Sequence, residues 1–167
     1  LLAERTLLNF VCHLSGVATL TRRWVDATRG SGAAIRDTRK TLPLLRALQK
    51  YAVRCGGGLN HRMSLSDAAL VKDNHVAAAG GVVAAFTAVR ERFPDLPIEV
   101  EVDDVEAAVA AVDAGADVVL LDNFPIDELR RAVEKVGGRA RLEASGGLTL
   151  ARAREVAGTG VDYLAVG

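Results

Sequence analysis

Aromatic residues make up only 4% of the 167-residue sequence, and cysteine is scarcer still, limited to Cys12 and Cys55. The two cysteines have no CxxC spacing, so a reduced, cytoplasmic compartment is the expected setting. These residues carry no signal-peptide pattern, and no apolar run among them approaches the roughly 20 residues that a membrane helix needs. The three histidines, His13, His61 and His75, are spread without ligand spacing, which argues against a histidine-built metal centre. Aromatics do not interleave with the cations, which argues against nucleic-acid binding.

Ala, Val, Leu and Gly are plentiful, and half of the sequence is hydrophobic. That is enough for a real core, and it suits helices packed closely on a parallel sheet. Net charge is zero, yet residues 1–75 carry 12 Lys/Arg against 5 Asp/Glu, and residues 76–167 carry 9 against 16. Two solvated surfaces of opposite sign would give this split. So would a site in which cations of the first half face carboxylates of the second.

Residues 1–27 read as one long helix, with Leu7, Leu8, Val11, Leu14, Val17 and Ala18 at helical spacing. A strand over 33–37 and a helix over 43–54, opening on Pro43, follow. Cys55-Gly56-Gly57-Gly58 then opens what reads as a flexible loop through His61 and Arg62. Strands over 68–72, 98–102, 118–122, 141–144 and 163–166 alternate with helices over 76–92, 105–114, 126–136 and 150–157. The last four strands start about 20 to 23 residues apart, the period of a compact βα repeat. Continuous aliphatics such as Val118-Val119-Leu120-Leu121 predict strands buried on both faces. An open doubly wound sheet and a barrel both fit six such strands, and the short, even spacing favours the barrel. The expected fold is therefore one α/β, barrel-like domain of parallel strands over residues 1–167, incomplete relative to a full eightfold barrel. The sequence begins inside a helical pattern and stops on Gly167 after an apolar run, so it reads as a fragment of a longer protein.

In a barrel, functional side chains collect at the carboxyl ends of the strands. Arg36, Asp37, Arg39 and Lys40 fall at the first such end, Lys72 at the second, and Glu101, Asp122 and Glu143 near the next three. Unpaired charges are costly to bury, so this succession predicts one charged mouth. Alternation along the strand turns Arg36 and Thr38 one way and Asp37 the other. Arg39 and Lys40 then sit side by side; two like charges about 4 Å apart repel by roughly 4 kcal/mol at an effective dielectric near 20. A bound carboxylate or phosphate would turn that repulsion into affinity, and His61, Arg62 and Lys72 add donors to the same rim. Ser145-Gly146-Gly147, between a strand and a helix starting near Thr149, suits a phosphate cradle, with Gly167 placed to share it. His13 reads as structural, His75 as a support at a helix start where Asn74 could cap, and Asp103 and Asp104 as helix-start residues.

Six runs, taken in order, carry a resemblance that covers essentially the whole sequence. They are Ile35-Arg-Asp-Thr-Arg-Lys-Thr-Leu-Pro43, Gly57-Gly-Leu-Asn-His-Arg62, Leu70-Val-Lys-Asp-Asn-His75, Glu99-Val-Glu-Val102, Leu120-Leu-Asp-Asn-Phe124 and Glu143-Ala-Ser-Gly-Gly147. Together they resemble the quinolinate phosphoribosyltransferase family (nicotinate-nucleotide pyrophosphorylase, carboxylating). That resemblance implies a pentosyltransferase of NAD biosynthesis, joining quinolinate to phosphoribosyl pyrophosphate with loss of CO2. It also implies an N-terminal α/β sandwich domain before this region and a short segment after it. Thr38, Arg39, Lys40, His61, Arg62 and Lys72 match the family's pocket for the two quinolinate carboxylates. Arg5 matches an arginine reaching into the partner subunit's site, which implies a homodimer. Glu101 and Asp122 match the acidic pair near the ribose hydroxyls and Mg2+ of phosphoribosyl pyrophosphate. Ser145, Gly146, Gly147 and Gly167 match the 5′-phosphate cradle, and Ala144 stands where the family often has serine. The resemblance makes Lys40, Lys72, Glu101 and Asp122 the expected catalytic residues. Rival readings are a related transferase acting on another pyridine or azole acid, such as a molybdenum-associated homologue or nicotinate phosphoribosyltransferase, and a non-catalytic barrel that binds an anionic metabolite.

Overall fold

The computed structural model describes residues 2–167, so Leu1, at the head of the expected first helix, lies outside the described residues. Helix α1 (Leu2–Ala27) leads into β1 (Ala34–Arg36), α2 (Arg46–Cys55), β2 (Ala69–Val71), α3 (Asp73–Ala79) and α4 (Val82–Arg92). Then come β3 (Ile98–Val102), α5 (Val105–Asp113), β4 (Val118–Asp122), α6 (Ile126–Val136) and β5 (Arg141–Ser145). A 3-10 turn (Leu150–Arg152), α7 (Ala153–Ala157) and β6 (Tyr163–Ala165) complete the order.

The six strands pair in parallel in the order β1-β6-β5-β4-β3-β2. Strands β2 to β6 lie beside their sequence neighbours, and β1 joins beyond β6. The order is thus a ring cut between β1 and β2, with none of the reversal of a doubly wound sheet. Arg36 on β1 reaches Glu99 on β3 at 3.9 Å, although those strands are not neighbours. Their side chains meet across an enclosed interior, as a barrel requires.

Alternation along each strand divides its side chains between that interior and the helices. Ile98, Val100, Val119, Leu121, Leu142 and Leu164 are buried against the helical layer. Each stabilises the fold by roughly 1.5–3 kcal/mol relative to exposure. Residues between them, including Glu99, Glu101, Leu120 and Glu143, form the other face. Helix α5 begins on Asp104, whose carboxylate accepts from Ala107 N at 2.6 Å, as its sequence position predicts.

Four expectations need correction. The single helix over 76–92 is two, α3 and α4, because Gly80 and Gly81 adopt φ values of 82° and 146° that end one helix and begin another. Helix α2 starts at Arg46 instead of Pro43, because Leu44 takes a left-handed φ of 63°. The loop after Gly58 is tied down: Leu59 N donates to Ile35 O at 2.7 Å and Asp37 N to Leu59 O at 3.1 Å, extending the sheet beyond β1. Finally, Leu7, Leu8 and Val11 of α1 are exposed, and the buried side chains of this helix are Thr21 and Trp24 instead.

Candidate active site

A cavity of about 320 Å³ opens at the carboxyl ends of the strands, lined by Thr38, Arg39, Lys40, His61, Arg62, Lys72, Glu101 and Ser145 among others. The short loop after β1 supplies the first three residues, and the tied loop after α2 supplies His61 and Arg62. Thr38 Oγ1 accepts from Lys40 N at 3.0 Å, which turns the chain so that consecutive cations face the cavity. Arg39 Nε is buried and has no hydrogen-bond partner among the described residues. Arg62 donates to Ala68 O at 2.7 Å, and burial, then the adjacent Arg39 guanidinium, pull its pKa below the ordinary arginine value. Crowded, desolvated guanidiniums with an unpaired N–H are a site prepared for an anion.

Lys72 closes β2 and pairs with Glu101 of β3 at 2.9 Å. Glu101 also lines a neighbouring cavity of about 310 Å³ with Asp73, Asp103 and Asp122. The cationic and acidic regions therefore share a wall. A third cavity, of about 260 Å³, is lined by Ser145, Gly146, Gly147, Ala144, Asn123 and Arg152 among others. Asn123 N donates to Ser145 O at 2.9 Å and locks the two strand ends together. Gly146 has φ 87°, and a Cβ on it would lie 2.5 Å from Asn123 Cγ and 2.9 Å from Asn123 N. Left-handed strain and overlap act together there. Gly146→Ala should thus cost roughly 1–3 kcal/mol, read by urea denaturation; an unchanged midpoint would contradict this packing.

Beneath the cationic cavity lies a buried charged cluster. Arg36 pairs with Glu143, which is 0% exposed, and stacks over the Tyr163 ring at 4.7 Å. His61 Nδ1 accepts from Arg62 N at 2.7 Å, so its proton sits on Nε2, which donates to Glu99 Oε2 at 2.7 Å. Burial, followed by the nearby Glu99, raises the Glu143 pKa to about 8, with Arg36 opposing. Glu143 is thus a floor residue rather than the rim residue expected from its strand-end position. His61, Glu99 and Glu143 are close enough to ligate a metal ion, but Arg36 and the His61–Glu99 bond already occupy the geometry.

Other expected residues fall elsewhere. Gly167 lies against Thr38 and Lys40, where a Cβ would sit 3.6 Å from Thr38 Oγ1, and it is not among the residues lining the Ser145–Gly147 cavity. Arg5 is on the exposed first turns of α1 and does not line the cationic cavity. His13 meets Gln49 Nε2 at 2.9 Å and joins α1 to α2. His75 Nδ1, rather than Asn74, holds the start of α3, accepting from Lys72 N at 3.0 Å. Sequence reasoning gave no role to Lys50 or Asn60, and it cited Glu99 only within a motif. A buried lysine on a short helix leaves no periodic signal, and only the pairing Asp37–Lys50 shows its place.

Comparison with known proteins places these features in context. The sequence profile described as the C-terminal domain of quinolinate phosphoribosyl transferase matches residues 17–167. The chain is 61% identical, over its whole length, to the nicotinate-nucleotide pyrophosphorylase [carboxylating] of Mycobacterium leprae, covering 60% of that enzyme. It is 40% identical to the human protein of the same name, covering 58% of it. The solved nicotinate-nucleotide pyrophosphorylase of Francisella tularensis superposes with a TM-score of 0.96 at 44% identity, over 99% of this chain and 59% of that one. The chain thus spans about three fifths of these relatives.

Proposed function

The chain belongs to the quinolinate phosphoribosyl transferase C-terminal domain family, and on that premise we propose that the protein containing it transfers the phosphoribosyl group of phosphoribosyl pyrophosphate to quinolinate, with release of pyrophosphate and CO2. One observation carries this reading: Arg39, Lys40, His61, Arg62 and Lys72 line a single cavity whose wall continues, through Glu101, into an acidic one. A dicarboxylate suits the first region, and a ribose with its hydroxyls suits the second.

In the proposed reaction the pyridine nitrogen forms a bond to the anomeric carbon as the bond to pyrophosphate breaks. Glu101 and Asp122 face the positive charge that develops on the ribose. The C–C bond to the adjacent carboxylate then breaks with release of CO2; its electron pair stays on the ring carbon, stabilised by the neighbouring cationic nitrogen, and takes up a proton there. No protein nucleophile is needed; positioning and electrostatics suffice. Arg39, Lys40 and Lys72 hold and orient the carboxylates. Ser145, Gly146 and Gly147 offer a hydroxyl and backbone N–H groups to the 5′-phosphate, and Gly167 stands beside Thr38.

Glu101 and Asp122 line one cavity, and their carboxylate oxygens are hard donors of the kind that hold Mg2+ jointly with substrate phosphates. When bound, the ion would neutralise charge on the pyrophosphate leaving group. A homodimer in which Arg5 enters the partner's site is part of the same reading and accords with the position of Arg5 on an exposed helix end. Cytoplasmic residence belongs to it too; among the described residues no helix is long and apolar enough to cross a membrane.

The full-length gene product, given quinolinate, phosphoribosyl pyrophosphate and Mg2+, is expected to release CO2 and pyrophosphate in equal amounts. Pyrophosphate release with nicotinate but not with quinolinate would overturn this reading. Tight binding without turnover would favour a non-catalytic barrel.

A further inference from the structure

The loop bearing His61 and Arg62 is held from outside the barrel by a buried ion pair that lines no part of the cationic cavity. Lys50 of α2 is 1% exposed, and its ammonium is paired with Asp37, just past the end of β1. The same ammonium donates to His61 O at 2.9 Å. Asp37 Oδ1 accepts from His61 N at 2.8 Å, and Oδ2 accepts from Asn60 Nδ2 at 2.6 Å. Asn60 Nδ2 also donates to Lys50 O at 2.9 Å. One ion pair therefore grips both the N–H and the C=O of His61. Its acidic member directly precedes Thr38, Arg39 and Lys40.

A buried ion pair is poor value as a stabiliser, since apolar side chains of similar volume commonly hold a core as well or better. What an apolar pair cannot do is fix two backbone groups of a neighbouring loop in direction and distance. Here that direction sends the His61 ring inward to Glu99 and the Arg62 guanidinium to the cavity. The two cationic loops approach each other against the repulsion between Arg39 and Arg62. Something outside the cavity has to hold them together before any anion arrives.

We propose that Lys50 and Asp37 are positioning residues: their ion pair sets the spacing between the loop over 38–40 and the loop over 60–62, and with it the affinity for quinolinate. The proposal rests on the quinolinate reading above. It predicts an effect confined to the dicarboxylate half of the site, because no residue of 37–62 lines the acidic cavity or the Ser145–Gly147 cavity.

The test uses the full-length protein and calorimetric titration with quinolinate and, separately, with phosphoribosyl pyrophosphate. Lys50→Met alone would leave Asp37 buried and uncompensated, so the informative variant is the apolar pair Lys50→Met with Asp37→Leu. It is expected to fold with a lowered midpoint, because His61 N and O lose their partners, to bind quinolinate at least about tenfold more weakly, and to bind phosphoribosyl pyrophosphate within about threefold of wild type. Quinolinate affinity equal to wild type, or equal weakening of both ligands, overturns the proposal. Should the double variant fail to fold, the uncharged pair Lys50→Gln with Asp37→Asn decides, since it keeps polar groups at both positions and removes the ion pair: a loss selective for quinolinate supports positioning, and no loss or an equal loss overturns it. Wild-type protein that binds quinolinate without turnover leaves positioning intact while removing the catalytic reading. Wild-type protein that binds none removes both.

Discussion

Replacing Arg36 with methionine is expected to destabilise the protein by ~1–3 kcal/mol, the cost of leaving the buried carboxyl groups it bonds without their donor. A domain of ordinary stability has only about 5–15 kcal/mol to lose, so this is among the largest effects a single substitution here can have. Arg36 is the cation that Glu143 and Glu99 share, and both carboxylates are buried with one oxygen each unpartnered among the described residues. Lysine at position 36 restores the charge but neither the planar fork nor the stacking over Tyr163, and should recover only part of the loss. Urea denaturation at neutral pH measures this; a cost below about 1 kcal/mol would mean the cluster is not held by Arg36.

The same cluster sets a pH dependence whose sign follows from Glu143. Its carboxyl is raised from 4.5 to about 8, so between those values the folded protein holds a proton that the unfolded chain has released. Stability from this group is therefore present at acid pH and is lost as pH rises through the window from 4.5 to about 8. Glu143→Gln keeps the shape and removes the titration, so it should flatten that slope. A slope unchanged in the glutamine variant would assign the pH dependence to other groups.

Arg39→Ala is expected to lower kcat/KM for quinolinate by roughly 10²–10³, the scale of losing charge-assisted, bidentate carboxylate contacts. The KM for phosphoribosyl pyrophosphate should stay within about threefold, because the acidic and glycine-rich cavities do not involve this side chain. Stability should hold or rise slightly. Arg39 crowds Arg62 and leaves its own buried Nε unsatisfied, a strain that function tolerates and folding does not need. Steady-state kinetics against each substrate, with thermal unfolding alongside, separate these outcomes. Equal losses for both substrates would place Arg39 outside the dicarboxylate half.

Much of this was written in the chain itself. Periodicity and strand spacing are local properties, so six parallel strands, the helices between them and the barrel preference followed from residue order alone. The charge split between the two halves also proved meaningful. Arg36 with Glu143 and Glu99, and Lys72 with Glu101, each join a cation from residues 1–75 to a carboxyl group from residues 76–167. The motif Arg36 to Thr41 predicts an anion site because adjacent cations need a reason to be adjacent, and Arg39 and Lys40 line one cavity with His61, Arg62 and Lys72.

The tertiary structure decided the rest, for reasons no local pattern contains. Whether a strand-end carboxylate reaches the rim or becomes the floor depends on what crosses the interior from β1, and only the pairing of β1 and β5 on either side of β6 brought Arg36 to Glu143. Lys50 reads in sequence as one more helical lysine; its burial exists because α2 lies over the end of β1 at the height of Asp37. The sequence named the groups that could hold a dicarboxylate. The fold determined which of them are free to do so, since a buried charge is fixed by its partner and partners are chosen by packing across the barrel, not by neighbours along the chain.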